Sequence, residues 1–219
     1  SIPTALHYLD PAQLWEERHP DLVIVATTAP GHCPLTCMAA DAGARYILCE
    51  KPMGTSLAEC EAMTAVCAAH GVRLAINHPR RFLPQGAEPY RAIRSASFGG
   101  LSSMTVVAGN GGIAMIGIHF IELFHYLVGE PLQEVTGWFA PERFPNPRGA
   151  AFEDRAGSLR IVSASGKRLY MEIGADQGYG VNVVYAGPYG LAVVDELTGV
   201  MQIAWREEQY RPLPTTRYG

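Results

Sequence analysis

Leu22-Val23-Ile24-Val25-Ala26 is an unbroken apolar run of strand length. A run without polar alternation fits a strand covered on both faces, as inside a parallel sheet. Tyr46-Ile47-Leu48-Cys49 and residues 72–76 repeat the pattern, and helical stretches separate the three. Residues 34–42 read as a helix closed by Gly43. Residues 56–70 read as a helix with a capping box, Ser56 as cap and Glu59 reaching back from the third helical position. Its inward stripe runs Leu57, Cys60, Met63 or Thr64, and Cys67. An earlier helix, 10–18, turns Leu14 and Trp15 inward and stops at Pro20. Strand–helix–strand repeats imply a parallel sheet with right-handed crossovers, in which 22–26 and 46–49 are interior strands with neighbours on both sides.

The pattern changes after Pro79. Residues 1–78 carry 4 basic and 8 acidic side chains, and residues 79–219 carry 13 of each. Residues 101–108 read as a strand and 114–128 as a strongly apolar helix ended by Gly129. Strand-like runs follow at 134–139, 158–163, 168–173, 181–185, 191–195 and 200–205. Ser165-Gly166, Gly187-Pro188 and Thr198-Gly199 mark turns between them. This is the pattern of an antiparallel meander. The fold expected is therefore α/β over 1–78, followed by a second, α+β domain over 79–219 with a largely antiparallel open sheet. Residues 144–151, with two prolines and a glycine, are the expected mobile loop.

A net charge of −4 gives no electrostatic argument for nucleic acid or an anionic membrane, and no apolar run is long enough to span a bilayer. The five cysteines, Cys33, Cys37, Cys49, Cys60 and Cys67, all lie in the first third of the chain. Their odd count and element positions read as reduced, buried small hydrophobes in a cytoplasmic protein. His32 with Cys33 and Cys37 lacks the second ligand pair that a metal site needs, so no metal is expected.

Glu50-Lys51-Pro52 stands at the carboxyl end of the second strand, where open α/β sheets bind ligands. Lys51 is one of only two lysines against fifteen arginines. A desolvated ammonium there can be lowered in pKa and take part in proton transfer, as an arginine cannot. The plainer reading is a solvated turn in which Pro52 ends the strand. On spacing alone, His119 is a packed histidine in an apolar helix. Arg80 and Arg81 either bind an anionic substrate group or form salt bridges at the domain junction.

Together these segments resemble the Gfo/Idh/MocA family of NAD(P)-dependent oxidoreductases over nearly the whole chain. The resemblance rests on Asp21-Leu22-Val23-Ile24-Val25-Ala26-Thr27-Thr28-Ala29-Pro30 with His32, on Glu50-Lys51-Pro52, on Asn77 with Arg80-Arg81-Phe82, and on Gly117-Ile118-His119. It implies a Rossmann-like first domain and NAD or NADP as cofactor. Ala26, Thr27, Thr28, Pro30, His32, Glu50, Lys51, Pro52 and Asn77 would then line the cofactor cleft. It also implies Lys51 and His119 as catalytic residues, and Arg81, Asn110, Met115 and Glu122 on the substrate side. The substrate class implied is a sugar, inositol or nucleotide sugar. The antiparallel sheet would join a homodimer or homotetramer.

Two departures stand out. The family opens with a strand, a GxGxxG turn and a helix, and this sequence contains no GxGxxG. The glycine-rich segment is expected upstream of Ser1. Four residues before His119, where the family commonly has aspartate, stands Met115. Either Glu122 takes over that role, or His119 works with Lys51 alone, or the usual chemistry is lost. Met115 therefore keeps a rival open, a non-catalytic dinucleotide- or ligand-sensing protein on the same scaffold.

Overall fold

The structure, a computed structural model, describes residues 6–109, 111–143, 149, 152, 154–177 and 179–213. Asn110 and most of the expected loop at 144–151 lie outside the described residues. The chain divides into two compact units, Ser1–His78 and Pro79–Gly219.

The first unit is a three-stranded parallel sheet in the order β1-β2-β3, with β1 Leu22–Val25, β2 Tyr46–Glu50 and β3 Arg73–Asn77. Three helices accompany it: α1 Pro11–Glu17, α2 His32–Asp41 and α3 Leu57–Ala69. Asp10 caps α1 by accepting from the Ala12 amide at 2.9 Å. Ser56 caps α3 by accepting from the Glu59 amide, and the Glu59 carboxylate takes the amide and hydroxyl of Thr55. Val25, Ile47 and Cys49 pack against Ala39, Ala40, Met63 and Cys67.

One expectation changes here. Leu57 is exposed, because it is the first residue of α3 and precedes the buried stripe of Met63 and Cys67. Among the described residues β1 pairs with β2, and Leu22 and Ile24 share one exposed face of it while Val25 is buried on the other.

The second unit holds a seven-stranded sheet in the order β10-β9-β8-β4-β7-β6-β5. Its strands are β4 Ser103–Gly109, β5 Leu132–Arg143, β6 Arg155–Ser163, β7 Arg168–Gly174, β8 Val181–Ala186, β9 Gly190–Asp195 and β10 Met201–Trp205. The sheet is largely antiparallel, but not a plain meander. β4 inserts between β7 and β8, parallel to the first and antiparallel to the second. One face is the core: Met104, Val106, Leu169, Met171, Ile173, Val183 and Tyr185 meet Phe120, Leu123 and Phe124 of α5, Ile118–Val128. Gly129 ends α5 in the left-handed conformation, φ 65°, and returns its amide to the His125 carbonyl.

The helix expected at 114–128 is in two parts. A π-helical turn, Ile113–Gly117, leads into α5. α4, Pro84–Ile93, has no counterpart in the sequence reading. Pro84, Gly86 and Pro89 are breakers on paper. Here Pro84 occupies the first turn, and Gly86 and Pro89 lie on the buried face.

Candidate active site

In the first unit the relevant loops leave the carboxyl ends of β1 and β2. β1 runs into exposed Ala26, Thr27 and Thr28, then a 3₁₀ turn, Ala29–Gly31. Gly31 packs so closely on this loop that a Cβ there would lie 2.7 Å from Thr27 Oγ1. His32 is fully buried. Its Nδ1 lies 2.7 Å from the Pro52 carbonyl oxygen and its Nε2 lies 3.0 Å from that of Thr27. The buried imidazole thus sits between the β1 loop and Glu50-Lys51-Pro52, and an N–H on either ring nitrogen would donate to a backbone carbonyl of one of them. Glu50 and Asn77 are register partners at the ends of β2 and β3, and the Asn77 amide donates to Glu50 Oε1 at 2.6 Å. Lys51, half-buried, lies between Glu50, held from β3, and Pro52, held from α2.

Burial, with Cys33 beside it, pushes the Cys37 thiol up to about 11, and burial raises those of Cys49 and Cys67. All five cysteines are free.

The donor set at these strand ends fits the ribose side of a dinucleotide. Small exposed residues and two threonine hydroxyls border the β1 loop, and an anchored carboxylate ends β2. The glycine turn that would cradle a pyrophosphate is not among these 219 residues.

The second unit gathers its polar groups on the 3₁₀ turn Pro79–Phe82 and the helix it faces. Arg80 pairs with Glu196, and its guanidinium lies 4.2 Å from the centre of the Phe120 ring. Arg81 pairs with Glu122 and lies over Tyr126, which stacks on Tyr90. Both ion pairs are largely buried, with side-chain exposures of 21% and 12% for the first and 30% and 16% for the second. Burial lowers the Arg80 pKa and raises that of Glu122. The Glu122 carboxylate, one of the alternatives for serving His119, accepts from Arg81. His119 lines a cavity of about 300 Å³ with Pro79, Arg80, Leu83, Gln85 and Glu196.

Met115 is half-buried on the π-helical turn, and its amide donates to Asp154 Oδ2 at 2.8 Å. Asp154 is buried and accepts from the amides of Ala114 and Arg155 as well, each at 2.9 Å. This carboxylate satisfies the amino end of the helix bearing His119. Sequence reasoning missed Asp154, Gln85 and Glu196. Asp154 follows a stretch without periodicity. Gln85 sits in the unforeseen α4. Glu196 reads only as the first residue of the turn before Thr198-Gly199.

Residues 2–78 match the oxidoreductase family Gfo/Idh/MocA, with its NAD-binding Rossmann fold. The chain is thus similar to that family over its first unit. It is 32% identical over 139 residues to D-apiose dehydrogenase of Paraburkholderia graminis, a match covering 56% of this chain and 37% of that protein. It is 28% identical over 141 residues to scyllo-inositol 2-dehydrogenase (NAD(+)) of Bacillus subtilis, covering 58% of this chain and 41% of that one. These matches thus span less than half of either relative. The fold is shared with an NAD-binding oxidoreductase from Klebsiella pneumoniae, with TM-score 0.77 at 17% identity, covering 92% of this chain and 62% of the other. Among the described residues, no helix is long and apolar enough to cross a membrane.

Proposed function

We propose that this protein is an NAD(P)-dependent oxidoreductase acting on the CH–OH group of a sugar or inositol-like polyol. One observation carries the reading. Glu50-Lys51-Pro52 ends the central strand of a parallel sheet, with Glu50 held by Asn77 and the Pro52 carbonyl held by His32. Structural pinning on both sides of a lysine suits a residue that must keep one position during proton transfer. The curated relatives, a sugar and an inositol dehydrogenase, agree in substrate class.

The dinucleotide, when bound, supplies the hydride acceptor or donor. Lys51 takes the hydroxyl proton as the carbinol becomes a carbonyl, and returns it in the reverse direction. Glu50 accepts from ribose hydroxyls, while Ala26, Thr27, Thr28 and Pro30 border the cofactor. His32 and Asn77 act on it through Pro52 and Glu50. In the second unit His119 hydrogen-bonds the polyol. Arg81, Asn110, Met115 and Glu122 are assigned to the substrate side.

The face of the seven-stranded sheet away from α5 carries exposed Val107, Trp138, Tyr170 and Leu191. We assign it to a homodimer or homotetramer contact, and the protein to the cytoplasm. Val107→Lys should lower the mass read by light scattering.

Met115 favours one rival, a dinucleotide-sensing protein without turnover. The test is a reduced-dinucleotide fluorescence titration of the full-length protein, followed by a polyol screen. Lys51→Ala should bind dinucleotide normally and lose turnover by about 100-fold or more. Near-normal turnover in that variant would remove Lys51 from the chemistry. Tight binding with no turnover of any polyol by the unaltered protein would favour the sensor.

A further inference from the structure

We propose that Glu196 and Gln85 make the His119 cavity a site for an uncharged polyhydroxy ligand, and that the Arg80–Glu196 pair lining it excludes anionic sugars. The proposal rests on the polyol reading above and narrows its substrate class.

Arginines beside a sugar site ordinarily invite phosphate or carboxylate, since a guanidinium matches either bidentately. Here both arginines are already matched, each by its own largely buried carboxylate. Their planar faces are also engaged, Arg80 against Phe120 and Arg81 against Tyr126. An anion approaching Arg80 must displace Glu196, which itself lines the cavity. The displaced carboxylate would then face a second negative charge where little water screens it. A neutral hydroxyl meets no such repulsion. It can donate to Glu196 and accept from the Gln85 amide, both of which line the cavity. A cavity of about 300 Å³ suits one ring better than a nucleotide sugar.

The neutralising residues come from distant parts of the chain. Arg80 lies just after the first unit, and Glu196 lies in the turn between β9 and β10. The selectivity therefore belongs to the folded second unit, and no linear motif carries it.

The test uses the full-length protein and matched pairs of compounds, each a neutral aldose or inositol beside its phosphate or its carboxylate. At fixed dinucleotide, kcat/KM for each neutral member should exceed that of its anionic counterpart by about tenfold or more. Glu196→Gln keeps the shape and frees the Arg80 charge, so the ratio of anionic to neutral kcat/KM should rise by about tenfold. Equal or better use of the anionic members by the unaltered protein overturns the proposal. So does an unchanged ratio in a Glu196→Gln protein whose melting shows that it is folded. If nothing in either series is turned over, the oxidoreductase reading fails, and calorimetric titration with the same pairs decides this proposal separately. Binding of the neutral member alone supports it. Preference for the anionic member, or binding of neither, overturns it.

Discussion

Asn77 donates its side-chain amide to Glu50 at 2.6 Å, across the register pair that ends β3 and β2. The bond fixes the carboxylate one residue before Lys51. Asn77→Ala should cost about 1.5–3 kcal/mol of stability, the range for a hydrogen bond to a charged group. It should also weaken dinucleotide binding measured by fluorescence. An unchanged Kd would show that Asn77 does not position Glu50 for a ligand.

Asp154 accepts three backbone amides, two of them from the turn that opens the His119 helix. Asp154→Asn turns one of those acceptors into a donor facing an N–H. The loss should be about 2–3 kcal/mol, because buried amides are left without acceptors. Chemical denaturation midpoints measure it. A loss below experimental error would mean that this carboxylate does not hold the turn.

Gly86 separates two opposing effects. Alanine in place of glycine inside a helix should stabilise by about 1 kcal/mol. A Cβ at 86, however, would stand 2.2 Å from the Arg80 carbonyl oxygen, a backbone atom that cannot rotate away. The collision wins, so Gly86→Ala should destabilise by about 1–3 kcal/mol and displace Arg80 from Glu196. A raised melting temperature would contradict this.

Glu130 is held down to about 2 from an ordinary 4.5 by the hydroxyls of Ser163 and Ser165, the Ser165 amide and Lys167. A depressed carboxylate stabilises the fold above its unfolded pKa, and that contribution disappears as pH falls through the folded value. Relative to the unaltered protein, Glu130→Gln should melt lower at pH 6. The gap should close between pH 4.5 and about 2. A gap independent of pH would assign the effect to packing instead.

The strands were legible because their side chains alternate or run apolar, and β6 shows this well: every second residue from Gly157 to Ser163 is buried. The place of β4 was not legible. Its partners β7 and β8 are distant in sequence, and neither pairing leaves a mark on the strand itself. α4 was hidden because Pro84, Gly86 and Pro89 argue locally against a helix that tertiary contacts support. At the site, Glu50-Lys51-Pro52 was legible as a motif, whereas the pairing of Arg80 with Glu196 spans 116 positions and belongs to the tertiary fold.

The π-helical turn at Ile113–Gly117 alters how this stretch should be aligned with others. A π turn holds more residues than an α turn and commonly marks a single inserted residue. Counting back four places from His119 across it shifts the angular phase, so Met115 need not occupy the azimuth that an uninterrupted α-helix would give that position. The difference at 115 is then one of frame as well as of side chain. An acidic residue installed at 115 would therefore meet His119 at a different azimuth from the one an uninterrupted α-helix would give it.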